Sequence, residues 1–218
     1  DGMMTRAQAD YLIRAVHERQ NLLIAGATSS GKTTLANALL AEIAATGDRV
    51  LVLEDTVELQ CAARDHVPLR TRQGVVSMTE LVRSSMRLRP DRVVVGEVRG
   101  PEALDLIKVW GTGHPGGIAT IHAGSALGAL LRLEQLILEV AVNPPRALIA
   151  EAVNVVIHIA GRGRKRRIES IARVVGFDGV GYQLVDALET PFPELPPIPD
   201  AAPAAATSPS PDQPGELP

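Results

Sequence analysis

The sequence predicts an α/β fold built on a mainly parallel sheet, and three observations carry that reading. Short runs such as LLIA (22–25), VLVLE (50–54), RVVVGE (92–97) and GIATI (117–121) are largely apolar, as strands buried on both faces are. Stretches with helical spacing of apolar residues lie between them, the alternation expected when crossover helices join parallel strands. After Asn154 short strands follow one another directly (VVIHI, RIESIARVVGF, GYQLV) and read as a small antiparallel addition.

The elements follow in order. The first helix covers about residues 5 to 19, with Thr5 as N-cap and Ala9, Leu12, Ile13 and Val16 on one face. Strand 22–25 leads into a glycine-rich turn and a helix from about Gly31 to Ala45. Gly47 and Asp48 turn the chain into strand 50–54, and HVPLR (66–70) forms a further short strand. Thr79 caps a helix that ends before Pro90. Strand 92–97 precedes a helix at 101–110 with Pro101 in its first turn, where a missing N–H is harmless. Ser125 begins a helix reaching about Val140, and Pro144 and Pro145 introduce the next. GRGRKRR (161–167) is the loop between two of the later strands. Residues 189–218 are rich in Pro and Ala with little to bury, and are expected to form a disordered tail.

Composition narrows the function. The 218 residues are 45% hydrophobic and 22% charged, enough for one buried core. A net charge of -3 argues against global attraction to nucleic acid or anionic lipid, and 2% aromatic residues argue against base stacking. The single cysteine, Cys61, excludes an internal disulfide and fits a reducing compartment. No apolar run approaches the roughly 18 to 20 residues that span a bilayer, and no signal peptide opens the chain. Asp1 in place of an initial Met points to a piece of a longer protein.

GATSSGKTT (26–34) matches G-x-x-x-x-G-K-T between a strand and a helix, the setting of a phosphate-binding loop. Gly26 and Gly31 let the backbone of Ala27, Thr28, Ser29 and Ser30 fold so that N–H groups face phosphate oxygens, continued by Lys32, Thr33 and Thr34 at the helix N-terminus. Lys32 would reach the β- and γ-phosphates of ATP, and Thr33 would ligate Mg²⁺. Glu54, Asp55 and Glu58 follow one strand and Glu97 ends another. Strand carboxyl ends share one crevice, so these groups can hold the Mg²⁺ shell, Glu97 through water, or activate the attacking water. Arg87, Arg89 and Arg99 are candidates to reach a γ-phosphate, from this subunit or a neighbour. His122 ends the strand in HPGGIATIHAGS, where an imidazole could bond a γ-phosphate or a glutamate. Metal binding by His114 and His122 lacks local partners.

Four stretches resemble, in order, the sequence boxes of the secretion ATPases of type II and type IV systems. GATSSGKTT resembles the Walker A box, VLEDTVEL the Asp box, LRPDRVVVGEVRG the Walker B box and GTGHPGGIATIHAGS the His box. The continuation ALGALLRLEQLI is most similar to the branch serving conjugative DNA transfer. The resemblance implies a RecA-like P-loop NTPase core over residues 21–188, a linker helix within 1–20, and absence of the N-terminal domain that family members carry. It also implies a homo-hexameric ring on the cytoplasmic face of the inner membrane, powered by ATP and working with secretion or conjugation apparatus proteins. Glu54, Glu58 and Glu97 would then act on Mg²⁺ and water, and His122 would be the sensing histidine. Ala27 and Ser29 stand where the family usually has glycine, so a positive φ at position 29 would carry a cost. Other readings are a pilus-retraction or type II secretion motor, a nucleotide-gated scaffold with little turnover, and a nucleic-acid-binding protein acting through GRGRKRR. A solvated hairpin loop is the favoured reading of that run.

Overall fold

A computed structural model describes residues 2–190. The chain runs α1 (Arg6–His17), β1 (Leu22–Gly26), α2 (Lys32–Ile43), β2 (Val50–Glu54), β3 (His66–Arg70), α3 (Met78–Ser85), β4 (Arg92–Val98), α4 (Glu102–Gly111), β5 (Ile118–Ile121), α5 (Ala126–Ile137), α6 (Arg146–Ala152), β6 (Val155–Ala160), β7 (Arg167–Phe177) and β8 (Tyr182–Asp186). The strands form one sheet in the order β3-β2-β4-β5-β1-β6-β7-β8. β3 through β6 in that order pair in parallel, and β7 and β8 continue the sheet antiparallel. The expected α/β class therefore holds, with one refinement. β6, read from sequence as part of the antiparallel addition, pairs in parallel with β1 and belongs to the main sheet.

Alternate residues of the inner strands feed two cores, as a pleated sheet requires. Leu22, Ile24, Val50, Val52 and Val94 pack under α1 and α2 on one face. Leu23, Ala25, Leu51, Leu53, Val93 and Val95 pack under α3, α4, α5 and α6 on the other. The direction of chain travel reverses at β1. From β1 the chain crosses toward β2 along the α2 face, then returns toward β6 along the opposite face. Such a reversal opens a crevice at the strand carboxyl ends.

Buried polar side chains close the opposite edge. Asn21 Oδ1 accepts the N–H groups of Gly116 and Gly117 at 2.8 and 3.0 Å, while its Nδ2 donates to the Ala152 carbonyl at 2.7 Å. Arg92 is 1% exposed; it donates to Asp48 at 2.5 Å and to the carbonyls of Val16 and Gly116 at 3.0 and 3.2 Å. Gly116 (φ 88°) and Gly117 allow this close approach: a Cβ on Gly116 would fall 2.7 Å from the Arg92 guanidinium, and one on Gly117 would strike the Trp110 indole. Tyr182 anchors β8, donating to Glu134 at 2.8 Å, and Glu134 also accepts from Arg146 at 3.0 Å.

α3 is capped by Ser77 rather than the expected Thr79. Ser77 accepts from the Glu80 N–H at 3.2 Å, and Glu80 reaches back to the Ser77 N–H at 2.7 Å. That reciprocal pair needs Glu or Gln three residues on; from Thr79 the third residue is Val82, which has no group to return. The expected tail lies, beyond residue 190, outside the described residues. No helix among the described residues is long and apolar enough to cross a membrane.

Burial pushes the Asp48 carboxyl up, but hydrogen bonds from Arg92 and Thr46 and the charges of Arg92 and Arg19 outweigh it, holding the group below its ordinary value of 3.8. Its contribution to stability is therefore complete above about pH 4 and is lost as pH falls through the depressed folded value. Arg92→Ala should cost about 3–5 kcal/mol by urea denaturation, because it removes a buried guanidinium with its bonds to two carbonyls and leaves Asp48 with only Thr46 and the longer contact to Arg19. It should also flatten the acid limb of the stability–pH curve; an unaltered limb would contradict this assignment.

Candidate functional site

The crevice begins with the turn after β1. Gly26 has no room for a side chain: a Cβ there would lie 2.5 Å from Ser30 Oγ and 2.8 Å from the Ile159 carbonyl. Ser29 and Gly31 adopt left-handed φ values of 61° and 100°. This backbone opens α2 with no side-chain cap, so its first N–H groups are left for an outside acceptor. Lys32 is 8% exposed, and its ammonium bridges the carbonyls of Gly26 and Ala27 at 3.1 Å each. Burial pushes its pKa down; Glu97 and Glu58 pull it up and Arg99 adds to the downward push.

Carboxylates arrive from β2 and β4. Glu54 ends β2 and is 5% exposed. Its Oε1 accepts the N–H groups of Glu58 and Leu59 at 3.0 and 2.8 Å, folding segment 55–59 back toward α2. Asn37 of α2 holds the same segment, donating to the Glu58 carbonyl at 3.1 Å and accepting the Gln60 N–H at 2.8 Å. Glu58 is thereby delivered to Thr33, whose hydroxyl donates to it at 3.0 Å.

Glu97 sits where the β4–β5 register shifts, an irregularity that re-aims the side chain. Its Oε1 is enclosed and lacks a well-aligned donor among the described residues, yet the nearby His122 Nε2 is 2.7 Å away. Its Oε2 pairs with Arg99. Thr120 donates to the Gly96 carbonyl at 2.7 Å, fixing the backbone just before Glu97. Glu102 Oε1 accepts the N–H groups of Arg99 and Gly100 at 2.7 and 2.9 Å, which sets the turn after β4.

One cleft of about 300 Å³ is lined by Lys32, Thr33, Glu58, Glu97 and His122, together with Thr28, Ser29, Glu54 and Arg99. Gly26, Ala27, Ser30, Gly31 and Thr34 complete the turn and the first residues of α2. Arg87 stays out of this cleft: it precedes β4, at the edge where strands begin, next to Leu88, whose carbonyl bonds Arg49. His114 lies at that far edge too, against the Pro90 carbonyl at 2.8 Å, so the two histidines cannot share a metal. Among the described residues there is no cluster of three or more His, Cys, Asp or Glu suited to a metal ion. The sequence reading did not pick out Thr120, Glu102 or Asn37. Asn37 had a signal, since it stands four residues after Thr33 and so on the same helix face.

The model of the family described as type II/IV secretion system protein matches residues 2–168. The chain belongs to that family. It is 49% identical over 183 residues to the conjugal transfer protein TrbB of Rhizobium radiobacter, covering 83% of this chain and 56% of that protein. It is 38% identical over 178 residues to the type IV secretion system protein PtlH of Bordetella pertussis, covering 74% of this chain and 52% of the relative. Among solved structures, the VirB11 ATPase from the Brucella suis type IV secretion system in complex with sulphate superposes with a TM-score of 0.69 at 34% identity. The match covers 76% of this chain and 53% of that one. The chain thus spans about half the length of the curated relatives it matches. Family membership and this superposition bear out the expected P-loop NTPase core of secretion ATPases and its conjugal-transfer affinity.

The positive φ at Ser29 is a measurable strain. Ser29→Gly should leave stability within about 1 kcal/mol of the parent, since relief of the left-handed backbone offsets the added freedom of the unfolded chain. Ser29→Val should cost about 1–3 kcal/mol, because a β-branched residue tolerates this conformation poorly. Equal melting temperatures for the two variants would contradict a left-handed position 29.

Proposed function

We propose that the protein is the nucleotide-hydrolysing unit of a motor for type IV secretion or conjugative DNA transfer, acting as a ring of six copies. The carrying observation is the convergence of an uncapped helix N-terminus, Lys32, the Thr33–Glu58 pair and the Glu97–His122 pair in one cleft. Conjugal transfer and type IV secretion relatives at 49% and 38% identity favour this reading over a pilus-retraction or type II motor.

The loop N–H groups bind phosphate oxygens of ATP, and Lys32 exchanges its carbonyl partners for the β- and γ-phosphates. The Thr33 hydroxyl and the nearby carboxylates of Glu58 and Glu97 are hard oxygen donors of the kind Mg²⁺ takes beside phosphates, so the residues present suit that ion. When bound, Mg²⁺ supplies neutralisation of charge on the β- and γ-oxygens. Glu97 accepts a proton from water as the water oxygen bonds to the γ-phosphorus and the bond to the bridging oxygen breaks. His122 holds Glu97 in place and senses the γ-phosphate. Glu54 acts by holding the Glu58 segment. Arg99 holds Glu97 until nucleotide arrives. Arg87, at the opposite edge of the sheet, serves the nucleotide of a neighbouring copy in the ring. Work with apparatus proteins at the cytoplasmic face of the inner membrane follows from the same reading.

Glu97→Gln should bind ATP with near-parental affinity and turn over about 10²- to 10⁴-fold more slowly. Lys32→Ala should lose affinity itself. Parental turnover in Glu97→Gln would remove Glu97 from the role of base. A parent chain that binds ATP without turnover would favour the nucleotide-gated scaffold.

A further inference from the structure

The run GRGRKRR contains five basic residues, Arg162, Arg164, Lys165, Arg166 and Arg167. Four of them are exposed, whereas Arg166 is partly buried. The turn that carries it is tightly determined. Gly161 takes φ +83°, and a Cβ there would collide with the Lys165 carbonyl. The Lys165 N–H donates to the Arg162 carbonyl at 3.1 Å, and the Ile168 N–H donates to the Met3 carbonyl at 2.8 Å. The strand before the turn, β6, pairs with β1 up to Gly26 opposite Ile159, so hairpin and phosphate loop share a backbone boundary.

Arg166 lies over the start of α2. A methyl group on Gly31 would sit 3.4 Å from its Cδ and 3.7 Å from its Nη1. Its Nε is buried and has no hydrogen-bond partner among the described residues. No carboxylate among the described residues pairs with it. A guanidinium is therefore held beside Gly31 at a helix N-terminus, itself the positive end of a dipole. A guanidinium beside a positive dipole end is unfavourable alone and favourable once an anion sits between them. The carboxylates come from β2 and β4, on one side of β1, while the hairpin comes from β6 and β7 on the other. Arg166 thus approaches from the side opposite Glu58 and Glu97, where the γ-phosphate would lie.

We infer that Arg166 is a nucleotide-binding residue whose forked guanidinium takes non-bridging oxygens of the α-phosphate. The inference rests on the nucleotide-site reading above. It gives the basic hairpin loop a role in gripping nucleotide in its own subunit.

The test is calorimetric titration of the chain with ADP and with ATP, each with Mg²⁺, alongside melting of the nucleotide-free proteins. Arg166→Gln keeps the stem against Gly31 and should weaken both nucleotides equally, by about tenfold or more. Arg166→Lys keeps the charge but not the fork, and should fall between the two. Arg164→Gln, an exposed change in the same loop, should leave affinity unchanged. Affinities within twofold of the parent for both Arg166 variants overturn the inference, and a lowered melting temperature without an affinity change assigns Arg166 to packing. Loss confined to ATP overturns the α-phosphate placement. A parent chain that binds neither nucleotide overturns the nucleotide-site reading, and this inference with it.

Discussion

Strands that pair in parallel all end on the same edge of their sheet, and the working parts of this molecule depend on that constraint. Gly26, Glu54, Glu97 and His122 are spread over nearly a hundred positions of the chain, yet each follows or closes a parallel strand. The edge that receives them must stay open to ligand. The edge where the strands begin is closed instead, by Asn21 accepting from Gly116 and Gly117 and by Arg92 reaching from β4 to α1 and Asp48. Buried polar groups of this kind are costly unless every donor is matched, and at this edge the partners are backbone carbonyls and a carboxylate already in place.

The open edge has the opposite character. Its side chains hold one another provisionally: Lys32 rests on loop carbonyls, Thr33 on Glu58, Glu97 on Arg99 and His122. Each contact joins a group suited to phosphate or water with a nearby substitute. Burial pushes the Lys32 ammonium toward neutrality, and a phosphate beside it would favour the charged form. Under the proposed function, a ligand that replaced these contacts would shift the populations of the segments attached to them, namely 55–59 after β2 and the turn after β4. In the proposed ring of copies, such shifts would carry the effect of hydrolysis to neighbouring subunits.

Much of this was legible in the sequence, and the pattern of success follows physical reach. Strands buried on both faces announce themselves by composition, and the phosphate loop by spacing, so β1, β2, β4, β5 and α2 fell close to where they were expected. The strain at Ser29 is foreseeable because serine stands where the resemblance implies glycine. Relations that depend on tertiary geometry were less visible. Glu54 reads as a free strand-end carboxylate until its bonds to the Glu58 and Leu59 N–H groups are seen. The parallel pairing of β6 with β1 cannot be separated by composition from an antiparallel start to the hairpin. The position of Arg87 follows from the direction of β4, which places residues before the strand at the edge away from the cleft.

The central claim is that this cleft hydrolyses nucleotide as part of a ring. It is tested most directly by specific ATP hydrolysis as a function of protein concentration, with assembly mass followed by light scattering on the same samples. The account predicts turnover per chain that rises as a six-copy mass appears. A nucleotide-saturated monomer with no turnover at any concentration would contradict it.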